Sequence, residues 1–235
     1  MNNFNIAKEF ILNSIKPLST GIITLKKNSY IHEQCSEVDK VYIITEGICE
    51  TSILSEDGNE LKCWLYKEGD IVGWRCLLNE NKISEFGVKV ISEELKAYSV
   101  SVKSIENTFR DDLEFYKNYM VLYGKYSKYI LSREEDFIFY GKKGALYSIL
   151  IRLSNSIGKK VEDGILIDFE ITNEKLSLFT GISSKESICR MLKELKNKKI
   201  IKTYKGKIII MNLDYLVSIS FLDELDETNS LFLDE

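Results

Sequence analysis

A short polar segment, from Ser184 to Arg190, carries side chains that could contact nucleic acid. Arg190 could form two parallel hydrogen bonds to a guanine edge or hold a phosphate, and Lys185 could do either as a point charge. Glu186 could accept a hydrogen bond from the amino group of cytosine. Ser184 and Ser187 are short donors suited to phosphate, beside backbone N–H groups that favour anions. This combination predicts a helix that reads DNA.

Two structural alternatives compete with that interpretation. Ser183 and Glu186 have the spacing of a capping box, in which the glutamate satisfies the start of the helix. Ser184 could be the N-cap instead, which leaves one extra residue in the turn after Gly181. Arg190 could pair with Glu186 one turn earlier, an interaction worth only about 0.3 kcal/mol on an exposed helix.

The charge of the chain is distributed unevenly, although its net value is only -4. Residues 1–137 carry a net charge of -5, residues 138–220 carry +7, and residues 221–235 carry -6. A basic segment inside an acidic protein suggests a polyanionic partner, whereas a solvated lysine surface is the simpler alternative. We expect an acidic tail at 221–235.

Composition argues against several classes of protein. The 235 residues are 44% hydrophobic and contain no apolar run long enough for a membrane span. The polar N-terminus lacks the apolar region of a secretory signal, so we expect a cytosolic protein. The five cysteines include no C-x-x-C pair, and the chain has one histidine, His32. We therefore expect no metal site, no cofactor and no catalytic triad. We therefore expect a non-enzyme with reduced thiols and a solvated His32.

Residues 21–102 have the pattern of an antiparallel sandwich or barrel. Short β-branched and aromatic runs alternate there with turn residues. The Asp57-Gly58 pair predicts a two-residue hairpin turn. The predicted strands are Ile22 to Leu25, Lys40 to Thr45, Ile48 to Leu54, Leu61 to Tyr66, Val88 to Ile91 and Lys96 to Val102.

A long helix is predicted from 104 to about 137, with a heptad-like seam along it. Such a helix would span roughly 50 Å, too far for one small sandwich to cover, so we expect a homodimer through this seam. The alternative is that the seam packs only on its own β-domain. The predicted interface residues are Leu113, Tyr116, Met120, Tyr123, Ser127 and Ile130.

The remainder of the chain has the order of a winged helix-turn-helix. A first helix presents one apolar face, consisting of Ala145, Leu146, Ile149, Leu150, Leu153 and Ile157. Two shorter helices, Leu176 to Phe179 and Ile188 to Leu195, follow it. A tight hairpin around Lys205-Gly206 then joins Ile200 to Tyr204 with Lys207 to Met211.

Two groups of motifs resemble those of the cyclic-AMP receptor protein and fumarate-nitrate regulator (Crp/Fnr) superfamily of bacterial transcription factors. The first group consists of Glu46-Gly47, Ser55 to Glu60, and Leu65 to Gly73. The second group consists of Ile171 to Leu176, Thr180 to Leu195, Ile200-Ile201 and Gly206-Lys207-Ile208. The resemblance covers nearly the whole chain. It implies an α+β protein with a cyclic-nucleotide-binding-like jelly roll and N-terminal helix at 1–103, a dimerisation helix at 104–137 and a winged helix-turn-helix at 138–220.

The sensory half departs from the members that respond to cyclic nucleotides. Those members have Gly-Glu where this chain has Gly73-Trp74, and an arginine downstream, where this chain has Ser84 and Glu85. A carboxylate near the expected phosphate is electrostatically unfavourable, which argues against control by cyclic AMP. Arg75 could compensate, although adjacent strand residues point to opposite faces. These five residues are the predicted pocket for an unknown small-molecule effector.

The resemblance also implies double-stranded DNA with an inverted-repeat operator as the partner, and RNA polymerase as a further one. The N-terminal cysteine cluster that holds an iron–sulfur centre in oxygen-sensing members is absent. Four of the five thiols fall in the β-domain, so a thiol sensor is an alternative to buried core cysteines. The competing function is a metabolite-binding β-domain whose basic C-terminal segment docks an acidic protein.

Overall fold

The computed structural model describes residues 3–220, in two compact units that divide between Tyr126 and Ser127. The predicted acidic tail at 221–235 lies outside the described residues. No helix between residues 3 and 220 combines the length and apolar character needed to cross a bilayer.

The first unit is an antiparallel β sandwich with flanking helices. One sheet has the strand order β1-β8-β3-β6 and the other β2-β7-β4-β5. The elements are α1 (Asn3–Ile15), a 3₁₀ turn (Lys16–Leu18), β1 (Gly21–Lys26), β2 (Tyr30–His32), β3 (Lys40–Glu46), β4 (Cys49–Leu54), β5 (Glu60–Tyr66), β6 (Ile71–Val72), a second 3₁₀ turn (Trp74–Leu78), β7 (Gly87–Val90), β8 (Glu94–Ser101) and α2 (Val102–Phe109).

All six predicted strands are confirmed, and the two that the sequence pattern missed, β2 and β6, are the shortest. A run of two or three residues is too short to show an alternating pattern. The expected two-residue turn between β4 and β5 is wrong. Gly58 N–H donates to the carbonyl of Ser55 and Ser55 N–H donates to that of Asn59, both at 2.9 Å. Gly58, with φ of 77°, therefore closes a three-residue loop, the next most common hairpin geometry.

Helix α1 supplies one wall of the core of the first unit. Ala7, Ile11 and Ile15 are buried and belong to the same apolar cluster as Val41 of β3 and Val100 of β8. These residues recur at four-residue steps, so they form one stripe along the helix. Burial of this stripe attaches the N-terminal helix to the sandwich.

The predicted helix at 104–137 has different bounds. Helix α2 ends at Phe109, and α3 (Leu113–Ile157) begins after a break at which the Asp112 carboxylate accepts a hydrogen bond from Phe115 N–H at 2.9 Å. Helix α3 continues past 137 to a non-helical residue, Gly141, with φ of 60° and ψ of -149°. The heptad-like pattern did not reveal the break between α2 and α3, because only residues 110–112 lie outside the two helices there.

The second unit combines helices with a small sheet of strand order β11-β12-β10-β9. After α3 its elements are β9 (Gly158–Val161), β10 (Gly164–Ile167), α4 (Asn173–Thr180), α5 (Lys185–Asn197), β11 (Ile201–Tyr204), β12 (Lys207–Ile210) and α6 (Leu213–Val217). All six residues of the apolar face predicted from Ala145 to Ile157 are buried. Strands β9 and β10 were not predicted, because the polar sequence of β9 lacks the pattern of a half-buried strand.

Candidate functional site

The turn between α4 and α5 is built by two capped helix ends. The Thr172 hydroxyl accepts a hydrogen bond from Lys175 N–H at the start of α4, and Gly181, in the left-handed region with φ of 70°, ends that helix. Ser184 is the N-cap of α5, where its hydroxyl oxygen accepts from Ser187 N–H at 3.1 Å. The Ser183 capping box is therefore wrong, and Ser184 takes that role.

Helix α5 has one buried face and one polar face. Its buried residues are Ile188, Met191, Leu192 and Leu195, which fix the helix against the second unit. Arg190 is exposed and makes no hydrogen bond or ion pair with any residue from 3 to 220, so the alternative pairing with Glu186 is wrong. Its guanidinium retains five N–H donors for a ligand.

Glu186 contributes to the helix start while remaining exposed. Its carboxylate accepts a hydrogen bond from the Ser184 hydroxyl at 3.1 Å. Hydrogen bonding to its own backbone N–H and then to Ser184 lowers the pKa of Glu186. The side chain is thus held as an anion, able to accept from a base amino group but unfavourable beside a phosphate.

Lys185 is exposed and pairs with Glu174 in the first turn of α4. Its Nζ lies 2.9 Å from Glu174 Oε1. Hydrogen bonding to Lys185 lowers the pKa of Glu174. Both partners are open to solvent, so nucleic acid could compete with Glu174 for the ammonium group.

The predicted wing is the hairpin of β11 and β12. Lys205 and Gly206 at its tip both have positive φ, 48° and 77°, as a type I′ turn requires. Lys205 is exposed and its ammonium lies 5.3 Å from the centre of the Tyr204 ring. The sequence pattern located this hairpin but did not single out Lys205 as a cation available to a polyanion.

Part of the +7 charge of residues 138–220 is neutralised within the second unit. Lys159 lies 2.5 Å from Asp168, Lys207 pairs with the same carboxylate, and Lys202 pairs with Asp163. Hydrogen bonds from Lys159 and Lys207 lower the pKa of Asp168. The cations that form no ion pair with a residue between 3 and 220 include Arg190 and Lys193 on α5 and Lys205 at the wing tip, so these two elements retain charge for a polyanion.

The first unit contains a cavity of about 440 Å³ lined by all five predicted pocket residues, Gly73, Trp74, Arg75, Ser84 and Glu85. Three lining residues that the sequence did not indicate are His32, Thr51 and Tyr66. They lie on separate strands and join the site only through the fold, and no local motif could have identified them.

Arg75 lies in the 3₁₀ turn after Gly73, not on a strand, so the expectation that Trp74 and Arg75 point to opposite faces is wrong. Both line the cavity. The Arg75 guanidinium donates to the Tyr126 hydroxyl at 2.5 Å and to the Glu85 carboxylate at 3.1 Å. It also lies 4.1 Å from the centre of the Phe86 ring and 4.3 Å from that of Tyr126.

His32 borders the cavity and is not solvated, contrary to expectation. Its Nδ1 is buried without a hydrogen-bond partner. Burial, followed by the positive charge of Arg75, lowers the pKa of His32 from 6.5 to about 4. The imidazole is therefore neutral at neutral pH.

The cysteines do not form one cluster. Cys49, Cys63 and Cys76 are buried, whereas Cys35 and Cys189 are exposed. Burial raises the pKa of the Cys49 and Cys76 thiols, which disfavours their reactive thiolate forms. Across residues 3–220, no group of three His, Cys, Asp or Glu side chains is arranged to bind a metal ion.

Three buried residues of α3, Phe115, Tyr119 and Leu122, pack on the sandwich and lie outside the predicted dimerisation seam. Two residues of the seam, Met120 and Tyr123, border the cavity of the first unit, so the seam meets the β-domain in part. Of the six predicted residues, four are exposed (Leu113, Met120, Tyr123 and Ser127) and two are half-buried (Tyr116 and Ile130). Leu131, also on α3, is 55% exposed.

Comparison with known proteins identifies both units. Residues 22–112 match the model of the cyclic nucleotide-binding domain, and residues 145–219 match that of the Crp-like helix-turn-helix domain. The chain is 33% identical over 193 residues to the anaerobic regulatory protein of Bacillus subtilis, covering 82% of this chain and 80% of that protein. It is 30% identical over 213 residues to the lactate racemization regulatory protein of Lactiplantibacillus plantarum, covering 89% and 95%.

A solved structure agrees on the fold. A transcriptional regulator of the CRP/FNR family from Thermus thermophilus matches with a TM-score of 0.67 at 18% identity, over 85% of this chain and 97% of that one. The predicted combination of a jelly roll, a long helix and a helix-turn-helix domain is confirmed. The chain belongs to the Crp/Fnr superfamily and is a DNA-binding transcription regulator.

Proposed function

We propose that this regulator reads an inverted-repeat operator as a homodimer, with α5 as its recognition helix. The observation that carries the proposal is the exposed Arg190 on a helix whose opposite face is buried, because an arginine presented by a fixed helix can read a guanine edge. Ser184, Lys185, Glu186 and Ser187 are the other proposed contacts at the start of that helix. Lys205 at the wing tip is suited to a phosphate.

Dimerisation is proposed through the exposed apolar side chains of α3. Met120 is 54% exposed and Leu113 is 67% exposed on this helix. Burying them against a second copy would remove apolar surface from water. Two copies related by a two-fold axis would read half-sites about 10 base pairs, or ~34 Å, apart.

The competing function, a metabolite-binding module that docks an acidic protein, is not favoured, because the helix-turn-helix match and the curated relatives are those of regulators. We propose action in the cytoplasm, where the chromosome is, with RNA polymerase as a further partner and without a catalytic role. The cavity of the first unit is proposed as the site of an effector other than a cyclic nucleotide.

The test is selection of operators from random duplexes, followed by binding measurements on the preferred sequence. Arg190→Ala should weaken operator binding by about 1 to 3 kcal/mol and relax preference at one position in each half-site. Lys103→Ala, which removes an exposed cation of α2, is the matched control and should leave affinity unchanged.

Failure to select any sequence would contradict specific DNA reading. Equal weakening of all sequences by Arg190→Ala would instead identify the arginine as a phosphate contact. A selected site without two-fold symmetry would contradict reading by a homodimer.

A further inference from the structure

The cavity of the first unit has one permanent cation and one unsatisfied imidazole. Arg75 and His32 both border the 440 Å³ space, and Arg75 is the only lysine or arginine among its described lining residues. The other ionisable side chains there are Glu85, Cys76, Tyr66 and Tyr123. Near neutral pH only Arg75 and Glu85 of this set carry charge.

The Arg75 guanidinium is positioned before any ligand arrives. It lies close to the rings of Phe86 and Tyr126 and donates to the Tyr126 hydroxyl and to Glu85. These two hydrogen bonds leave three of its five N–H groups without a partner among the described residues. A guanidinium held in this way loses little freedom on binding a planar anion.

The partner of Arg75 at the cavity is replaceable. The Glu85 side chain is 72% exposed, so its carboxylate can turn into water without a large desolvation cost. An incoming carboxylate would restore the charge-assisted hydrogen bond that Glu85 vacates. The guanidinium is therefore paired with a carboxylate both before and after the exchange.

His32 borders the cavity and lies within the electrostatic influence of Arg75. Its Nδ1 is buried and has no hydrogen-bond partner within residues 3–220. After burial itself, the positive charge of Arg75 lowers the pKa of His32. An anion bound at Arg75 would act on the imidazole in the opposite direction.

The rest of the lining combines apolar side chains with several polar ones. Val72, Trp74, Phe86, Val88 and Met120 border the same space. Small-molecule sites commonly combine such walls with a few polar groups that fix orientation. One cation balances one negative charge, which favours a monoanion over a phosphate dianion.

We infer that the cavity binds a small organic monocarboxylate with an apolar body, whose oxygens accept hydrogen bonds from Arg75 in place of Glu85. The inference rests on the proposed role of the cavity as the effector site, and it adds the ligand class and the residues that select it. The apolar part of the ligand would pack on Trp74 and Phe86.

The test uses the full chain with benzoate and hexanoate as probes and their uncharged amides as matched ligands. Because the protein contains one histidine, its imidazole signal in NMR belongs to His32 alone. A bound carboxylate should raise the His32 pKa by about one unit or more, because a nearby anion favours the imidazolium. The amides should leave the pKa unchanged.

Three variants test the assigned roles, and a fourth is their control. Arg75→Met should weaken acid binding about tenfold or more, because the charge-assisted hydrogen bonds are lost. Glu85→Gln, a surface change, should strengthen it by removing the competing carboxylate. Arg75→Lys keeps the charge without the planar fork and should bind with intermediate affinity, which separates ligand recognition from misfolding. The control, Lys103→Met, should have no effect.

Equal affinity for acids and amides, or no acid binding at millimolar concentration by either probe, would overturn the inference. So would a Glu85→Gln variant that binds acids more weakly than the wild type. Operator binding by the same samples without any acid measures the proposed DNA-binding function separately. Intact operator binding together with absent acid binding therefore rejects only the ligand assignment.

Discussion

The ammonium of Lys185, at the start of α5, lies 2.9 Å from the carboxylate of Glu174, at the start of α4. The pair joins the two helices of the helix-turn-helix at the surface proposed to face DNA. A lysine in such a pair must exchange one anion for another before it contacts a base or a phosphate. Glu174 therefore opposes DNA binding both by occupying Lys185 and by repelling phosphate.

Glu174→Gln should consequently strengthen DNA binding by a few-fold, with the largest gain at low salt, where electrostatic terms are least screened. Fluorescence anisotropy with labelled duplexes at several salt concentrations would measure this. Glu162→Gln makes the same charge change at another exposed position of the second unit and serves as the control. Unchanged or weaker binding by Glu174→Gln alone would contradict the role given to this pair.

Leu131→Glu should shift the protein from dimer to monomer. Leu131 is 55% exposed within one copy, so the charge should not disturb the folded chain, whereas an unpaired charge buried at an interface costs several kcal/mol. Sedimentation velocity at micromolar concentration would report the change. Asn107→Glu, on the exposed surface of α2, should remain dimeric. A monomeric wild type would refute the proposed interface.

Stability should depend on pH through His32. Burial, followed by the charge of Arg75, lowers the pKa of His32 in the folded chain from 6.5 to about 4. Between pH 4 and pH 6.5 the unfolded chain therefore binds a proton on His32 that the folded chain does not. Stability should therefore fall as the pH drops from 6.5 towards 4, by on the order of 3 kcal/mol from this group. Urea unfolding of wild type and His32→Asn at each pH would isolate the effect as a difference. If the free energies of unfolding of the two proteins change with pH in the same way, the role given to His32 is contradicted.

Cyclic AMP and cyclic GMP should not bind with low-micromolar affinity. Trp74 stands where a ribose-reading glutamate is expected, and each lost charge-assisted hydrogen bond weakens binding by about tenfold or more. Arg75 is paired with Glu85, so a phosphate could bind there only by displacing that carboxylate, and the lost ribose contact would not be replaced. Calorimetric titration of each nucleotide would decide. A low-micromolar dissociation constant that Arg75→Ala abolishes would show that Arg75 serves as the phosphate site.

The sequence alone determined six of the eight strands of the sandwich, the two short helices and the hairpin around Lys205-Gly206. These features follow from local rules, because alternation, helical spacing and turn residues act over a few neighbouring positions. The same rules identified α5 by its cap, its buried face and its exposed arginine. They could not choose between Ser183 and Ser184 as the N-cap, since both spacings satisfy the pattern.

Only the tertiary structure decided which distant residues share a site. His32 and Arg75 are far apart in sequence, and their meeting at one cavity depends on the pairing of β2 with β7 and on the 3₁₀ turn after Gly73. The low pKa of His32 arises from burial, which no local pattern records. Which lysines remain free also depends on the fold, because Lys185 and Lys207 find carboxylates on other elements whereas Arg190 finds none among residues 3–220.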